Sequence, residues 1–232
     1  MWKEYLQTER IAGVNDEMQP LMHTLFNSIS KVGEDYIYWA TGEREKENIP
    51  YVERAFAYEL YFQWNINQDV DGVSLYKQRD KYIINGEIRK DFVEKIPLAN
   101  NYSYPDMVLH GGNNSPNNYI VCEIKRKSTI RCNKDAMTND LNKLGFFLRN
   151  DLHPKYNVDW KGYQYGIFLL TDKYWNNNEW DLKPSDIIDN INIDNLEIEP
   201  NLYSKIICIL YNHKTLQYEN FEEIVESKKK QL

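Results

Sequence analysis

The residues that could do chemistry in this chain stand in two short runs. The first is Pro105-Asp106, and the second is Glu123-Ile124-Lys125, which closes the apolar run Tyr119-Ile120-Val121-Cys122. In an extended strand successive side chains alternate between faces, so Ile120, Cys122 and Ile124 point one way and Val121, Glu123, Lys125 and Lys127 the other. A glutamate and two lysines on one face of an apolar strand are costly to bury unless they pair or bind something. If the intervening Gly111-Gly112-Asn113-Asn114-Ser115-Pro116-Asn117-Asn118 loop makes a hairpin, Asp106 lies beside Glu123. Two adjacent carboxylates repel unless a cation lies between them. Oxygen ligands of this kind suit Mg²⁺ or Mn²⁺, which keep several waters and accept substrate phosphate oxygens as further ligands. Lys125, projecting beside Glu123, could orient or deprotonate an attacking water and offset charge on a phosphorane. This is the minimum equipment for hydrolysing a phosphodiester.

The triplet alone is a weak signal. An acid-x-Lys triplet is expected by chance roughly three times in such a chain, and Asp159-Trp160-Lys161, Asp181-Leu182-Lys183 and Glu226-Ser227-Lys228 match it too. None of those closes an apolar strand, and none follows a Pro-Asp strand. Read without a site, Asp106 is a turn acid after proline and Glu123 with Lys125 is an edge-strand charge pair.

The elements that must position these residues are legible in the periodicity. Residues 1–48 read as a mostly helical N-terminal extension, with Leu21, Leu25 and Ile29 at helical spacing. Val52, Phe56, Leu60 and Trp64 mark a second helix, with Glu53 and Glu59 on it. Tyr82-Ile83-Ile84 followed by Asn85-Gly86 reads as a strand and a hairpin turn. Strands over 104–109 and 119–124 come next, then an amphipathic helix over 134–150 through Met137, Leu141, Leu144 and Leu148. Further strands are expected over 163–170 and 206–211. The order helix, strand, strand, strand, helix, strand describes an α/β protein with a mixed central sheet flanked by helices. The principal domain is placed at 49–215, with a helical or frayed tail at 216–232 that includes Ser227-Lys228-Lys229-Lys230. The Asn/Asp-rich 176–195 stretch reads as a loop or insertion.

These motifs resemble the core of the PD-(D/E)xK, or restriction-endonuclease-like, nucleases. The resemblance covers about residues 50–172. It includes Val52-Glu53-Arg54-Ala55-Phe56 at a helix start, Asp140-Leu141-Asn142-Lys143-Leu144 on the following helix, and Tyr163-Gln164-Tyr165-Gly166-Ile167-Phe168 on the next strand. It implies a restriction-endonuclease-like fold and a Mg²⁺- or Mn²⁺-dependent endonuclease, with Asp106 and Glu123 as metal ligands and Lys125 as the catalytic lysine. Glu53 would be the helix carboxylate at the metal or its water. Glu59 competes for that role, but the two differ by six positions and cannot face one site together. Lys143 and Gln164 would be auxiliary phosphate or water contacts, and Lys127 a further DNA contact. Lys143 also reads as a solvated helix lysine with Asp140 as its partner three residues back. His110 shares the Asp106 face by alternation but reads as a loop-end histidine.

The bulk properties set limits. The net charge is −7, yet residues 121–155 carry eight Lys and Arg against four acids, a local excess of +4 on a remainder of −11. One basic region on an acidic body fits a local anionic ligand, with DNA the expected partner, and argues against coating nucleic acid by charge alone. Cys122, Cys132 and Cys208 form no CxxC pair, so neither a disulfide framework nor a structural zinc site is expected. No apolar stretch is long enough to span a bilayer. The start Met1-Trp2-Lys3-Glu4-Tyr5 is unlike a secretory leader, so a cytoplasmic location is the expectation. Cutting both strands of a duplex would ordinarily call for a homodimer. The competing reading is a non-catalytic nucleic-acid-binding or assembly module on the same fold.

Overall fold

The computed structural model describes residues 9–33, 36, 49–66, 69–70, 73–78, 80–86, 105–112, 117–126, 134–150, 161–171, 183–188, 191, 193–212 and 215–230. The helices described over their length are α1 (Gln19–Ile29), α2 (Ile49–Ile66), α3 (Lys134–Leu148), α4 (Pro184–Ile188) and α5 (Phe221–Lys229). A two-stranded ribbon pairs β1 (Asp69–Val70) with β2 (Val73–Ser74). The main sheet comprises β3 (Tyr82–Gly86), β4 (Met107–Gly111), β5 (Asn118–Arg126), β6 (Tyr165–Thr171), β7 (Ile206–Tyr211) and β8 (Leu216–Asn220). Its six strands lie in sequence order. The β3–β4, β4–β5 and β7–β8 pairs are antiparallel, whereas β5–β6 and β6–β7 are parallel. The chain is therefore α/β with a mixed sheet, as the alternation of periods implied. Among the described residues no helix is long and apolar enough to cross a membrane.

Period-two alternation distributes the sheet between two cores. Met107, Leu109, Ile120, Cys122, Ile124, Ile167, Leu169, Ile207 and Ile209 face α1 and α2. On that side Phe56, Leu60 and Trp64 recur every four residues, and each is at most 1% exposed. Trp64 Nε1 donates to Thr24 Oγ1 at 3.0 Å, tying α2 to α1. Val108, Val121, Phe168, Leu170, Cys208 and Leu210 face the other way, onto Met137, Leu141, Leu144, Phe147 and Leu148 of α3. Full burial of each such apolar side chain contributes about 1.5–3 kcal/mol. The parallel β5–β6 pair cannot be joined by a tight turn, and α3 lies in its crossover. At the return from α3 a Cβ on Gly162 would collide with the carbonyl oxygens of Leu148 and Arg149, so only glycine fits there.

Three expectations are corrected. Asn85-Gly86 is not a hairpin turn: both residues stay in the ladder, opposite Val108 and Met107. The connection onward to β4 is too long for a two-residue turn. Of the helical or frayed tail expected over 216–232, residues 221–229 are helical and 216–220 form a strand instead. β8 closes the sheet against β7, and α5 buries Phe221, Ile224 and Val225 in the second core. Part of the 176–195 stretch is ordered as α4 and a short 3-10 turn, with Ile187, Ile188 and Ile191 buried. Tyr104 and Lys127 lie outside the described residues.

Candidate active site

The β4–β5 register builds the site. Met107 pairs with Cys122 in antiparallel register, so the next position out sets Asp106 opposite Glu123. Directly opposed residues share a face, here the second-core face, which Val108 and Val121 also occupy. Asp106 Oδ2 accepts the backbone N–H of Ile124 at 2.7 Å, which pins the carboxylate against β5. Glu123 is 1% exposed. Its neighbour across β6 is Phe168, and that of Lys125 is Leu170, so apolar side chains flank the charged stripe.

Helix α3 lies over this stripe and contributes two charges of its own. Lys143 Nζ donates to Glu123 Oε2 at 2.6 Å. Lys125 Nζ meets Asp140 Oδ2 at 2.8 Å, an ion pair by distance rather than an aligned hydrogen bond. Lys143 Nζ also lies 3.8 Å from Asp140 Oδ1. Among the described residues the cluster thus holds three carboxylates (Asp106, Glu123, Asp140) and two ammonium groups (Lys125, Lys143), with Asp106 half-buried and the others largely shielded from solvent. Fully charged, these five groups are one cation short. Glu123 Oε1, moreover, has no hydrogen-bond partner among the described residues.

The electrostatics follow from that imbalance. Burial lifts the Asp106 carboxyl from 3.8 to about 6, a rise that the Ile124 N–H, Lys143 and Lys125 oppose and Asp140 reinforces. Burial, together with Asp106 and Asp140, lifts Glu123 well above the usual carboxylate range despite the bond to Lys143. For Lys143, burial works against the charged form. The attraction of Glu123 and Asp140 outweighs it and raises the ammonium above its ordinary value.

Three observations among the described residues are compatible with a divalent cation: the half-buried Asp106 paired with the buried Glu123, an excess of carboxylates over ammonium groups, and a Glu123 Oε1 with no hydrogen-bond partner. Among the described residues no group of three or more His, Cys, Asp or Glu is placed to hold a metal by itself. Two carboxylates with waters and substrate oxygens remain a normal donor set for Mg²⁺, which rarely takes an all-protein cage.

The other sequence candidates separate. Helix α2 packs on the face opposite Glu123, so a carboxylate from it would have to reach past the sheet's end. Phe56 packs against Tyr211, with ring centroids 6.3 Å apart. Tyr211 pairs with Thr171, which in turn pairs with Arg126 at the end of β5, so α2 begins near the end that carries Lys125. The Glu53 position is one turn before Phe56, and its side chain is outside the described part. Glu59 is half-buried and accepts from Gln63 Nε2 at 2.6 Å on its own helix. Gln164 is not at the site. It precedes β6, four residues before the Phe168 that pairs with Glu123, or about 13 Å along the strand. There it borders polar clefts with Asn118 and Lys205. Lys143, far from being a solvated helix lysine, is Glu123's ion-pair partner. His110 bridges Asn85 at 2.6 Å and the Gly111 carbonyl at 2.9 Å.

The residue not singled out in advance as part of the site is Asp140. Its available signal was the spacing with Lys143 on the helix stripe of Met137, Leu141 and Leu144. No family model matches the chain, and no match is found among curated proteins or solved structures.

Proposed function

We propose that this chain is a Mg²⁺- or Mn²⁺-dependent nuclease of the PD-(D/E)xK class, hydrolysing phosphodiester bonds in DNA. The observation that carries this reading is the pairing of Asp106 with the buried Glu123, whose Oε1 has no hydrogen-bond partner among the described residues, and with Lys125 two residues along the same strand face. Apart from the β1–β2 ribbon after α2, the order α2, β3, β4, β5, α3, β6 agrees with the helix-strand-strand-strand-helix-strand order expected of a restriction-endonuclease-like core, which supports the reading. The local excess of Lys and Arg over 121–155 adds attraction for a polyanion on an otherwise acidic body.

Asp106 and Glu123 would hold the cation, with a carboxylate from α2 at Glu53 as a further ligand. When bound, the cation polarises the scissile phosphate and acidifies a water. Asp106 is fixed for this by the Ile124 N–H, and Glu123 by its rigid strand and by Lys143. Lys125 orients the attacking water and offsets the charge that grows on the phosphorane oxygens. Lys143 is placed to do the same for a neighbouring phosphate oxygen. In the reaction a water oxygen bonds to phosphorus, the bond to the leaving sugar oxygen breaks, and that oxygen takes up a proton.

The test is a cleavage panel of duplex, single-stranded and branched DNA and of RNA, with Mg²⁺ or Mn²⁺. DNA cleavage that EDTA stops and Lys125→Ala abolishes is expected. Metal-independent cleavage, or undiminished cleavage by the variant, would remove the mechanism. Tight DNA binding without cleavage would favour the non-catalytic module instead.

A further inference from the structure

Asp140 belongs to neither motif strand, yet it touches both ammonium groups of the cluster. It is 9% exposed, on the α3 face that otherwise buries Met137, Leu141 and Leu144. Keeping a carboxylate there is expensive. An apolar residue of similar size would often be at least as stabilising, whereas removing one member of a buried ion pair leaves its partner's charge uncompensated. Three carboxylates and two lysines in such a place therefore call for a role beyond stability.

The geometry defines that role. Lys125 is on β5 and Lys143 on α3, and each ammonium is held by an acid from the other element: Asp140 for Lys125, Glu123 for Lys143. The two pairs cross between strand and helix. Without Asp140, the nearest described carboxylate in Lys125's own strand is Glu123, whose Oε2 Lys143 already occupies. Lys125 would then swing toward the carboxylates meant for the cation.

We infer that Asp140 is a positioning residue: it draws the Lys125 ammonium toward α3, off the Asp106–Glu123 pair, and holds it where a phosphodiester would lie. This rests on the nuclease reading for its consequence, but not for its geometry. The contact runs between Asp140 and Lys125, whereas Asp106 and Glu123 are held by the Ile124 N–H and by Lys143.

Asp140→Asn preserves shape and removes the charge, and Asp140→Glu restores the charge one methylene further out. In Asp140→Asn, kcat is expected to fall by about 10- to 100-fold, with KM and the Mn²⁺ dissociation constant from calorimetry unchanged within about threefold. Asp140→Glu should recover part of kcat. A second readout is independent of activity. In ¹H–¹⁵N spectra of the lysine ammonium groups, assigned with Lys125→Arg and Lys143→Arg, Asp140→Asn should erase the slowly exchanging Lys125 signal and keep that of Lys143. Circular dichroism checks that the variant folds, and if Asp140→Asn does not fold, a shifted Lys125 signal in Asp140→Glu serves instead. An unchanged Lys125 signal overturns the inference. So does a kcat as high as that of the unaltered protein, or a Mn²⁺ affinity lowered by about tenfold or more, which would show that Asp140 acts on the cation site and not on Lys125 alone. If the unaltered protein cuts no nucleic acid while its Lys125 ammonium is immobilised by Asp140, the nuclease reading fails and the positioning stands.

Discussion

The half-buried Asp106 carboxyl makes stability depend on pH in a way that can be worked out in advance. Its ionisation is lifted from 3.8 to about 6, chiefly by burial. A raised carboxyl means that the folded protein binds more protons than the unfolded chain between those two values. The stabilisation is therefore complete below pH 3.8 and is lost as pH rises through about 6. The full span corresponds to about 3 kcal/mol, and the part recovered between pH 7.5 and pH 5 to about 1.4 kcal/mol. Glu123 acts in the same direction. Asp106→Asn removes the titration while keeping an oxygen to accept the Ile124 N–H. Urea unfolding of both proteins at the two pH values, in EDTA, isolates the contribution. The unaltered protein should gain about 1.4 kcal/mol more than the variant on going to pH 5. Saturating Mn²⁺, at about 100 times its dissociation constant, should add about 2.7 kcal/mol at pH 7.5. It should add less at pH 5, where protons compete, and nothing in Asp106→Asn. Equal pH responses in the two proteins would refute the electrostatic reasoning, and full Mn²⁺ stabilisation of the variant would remove Asp106 as a ligand.

Other expectations follow from the same geometry. Lys143→Met leaves Glu123 buried beside no hydrogen-bonded cation, so urea unfolding at pH 7.5 should show a loss of about 3–5 kcal/mol. That loss should shrink at low pH, where Glu123 is protonated. Gln164→Ala, at the far end of β6, should leave kcat/KM for DNA within about twofold of the unaltered protein. Glu53→Gln should lower cleavage by about 10-fold or more, whereas Glu59→Gln, whose partner is Gln63, should not. The reverse order would exchange the two roles.

How much of this was legible in the sequence depended on how local the controlling physics is. Strand alternation separates Cys122 and Ile124 from Glu123 and Lys125, and the structure divides them between an apolar core and the charged cluster in that way. The helix through Phe56, Leu60 and Trp64 was equally readable, because a four-residue apolar recurrence has one interpretation. Asn85-Gly86 misled because a turn dipeptide carries no information about where its strand's partner lies. Gln164 misled because a run that resembles the family's next strand does not say which end of its parallel neighbour it meets. The parallel register sets Phe168, not Gln164, beside Glu123. Strand β8 carries Gln217, Glu219 and Asn220, as an edge strand with a solvated face does, and so lacked an apolar signature. Asp140 was read only as Lys143's partner and not as a site residue, because an acid three residues before a lysine looks like an ordinary helix-surface pair. Only the tertiary fold points that pair at the sheet.

The central claim is that Asp106, Glu123 and Lys125 form a metal-dependent phosphodiesterase centre. Its most direct test is the rate of DNA cleavage by the unaltered protein and by Lys125→Ala, each with Mn²⁺ and with EDTA. The account predicts cleavage in the unaltered protein with Mn²⁺ alone, and a loss of about 100-fold or more in a Lys125→Ala protein that still binds Mn²⁺. Equal rates in the two proteins, or cleavage that persists in EDTA, would contradict it.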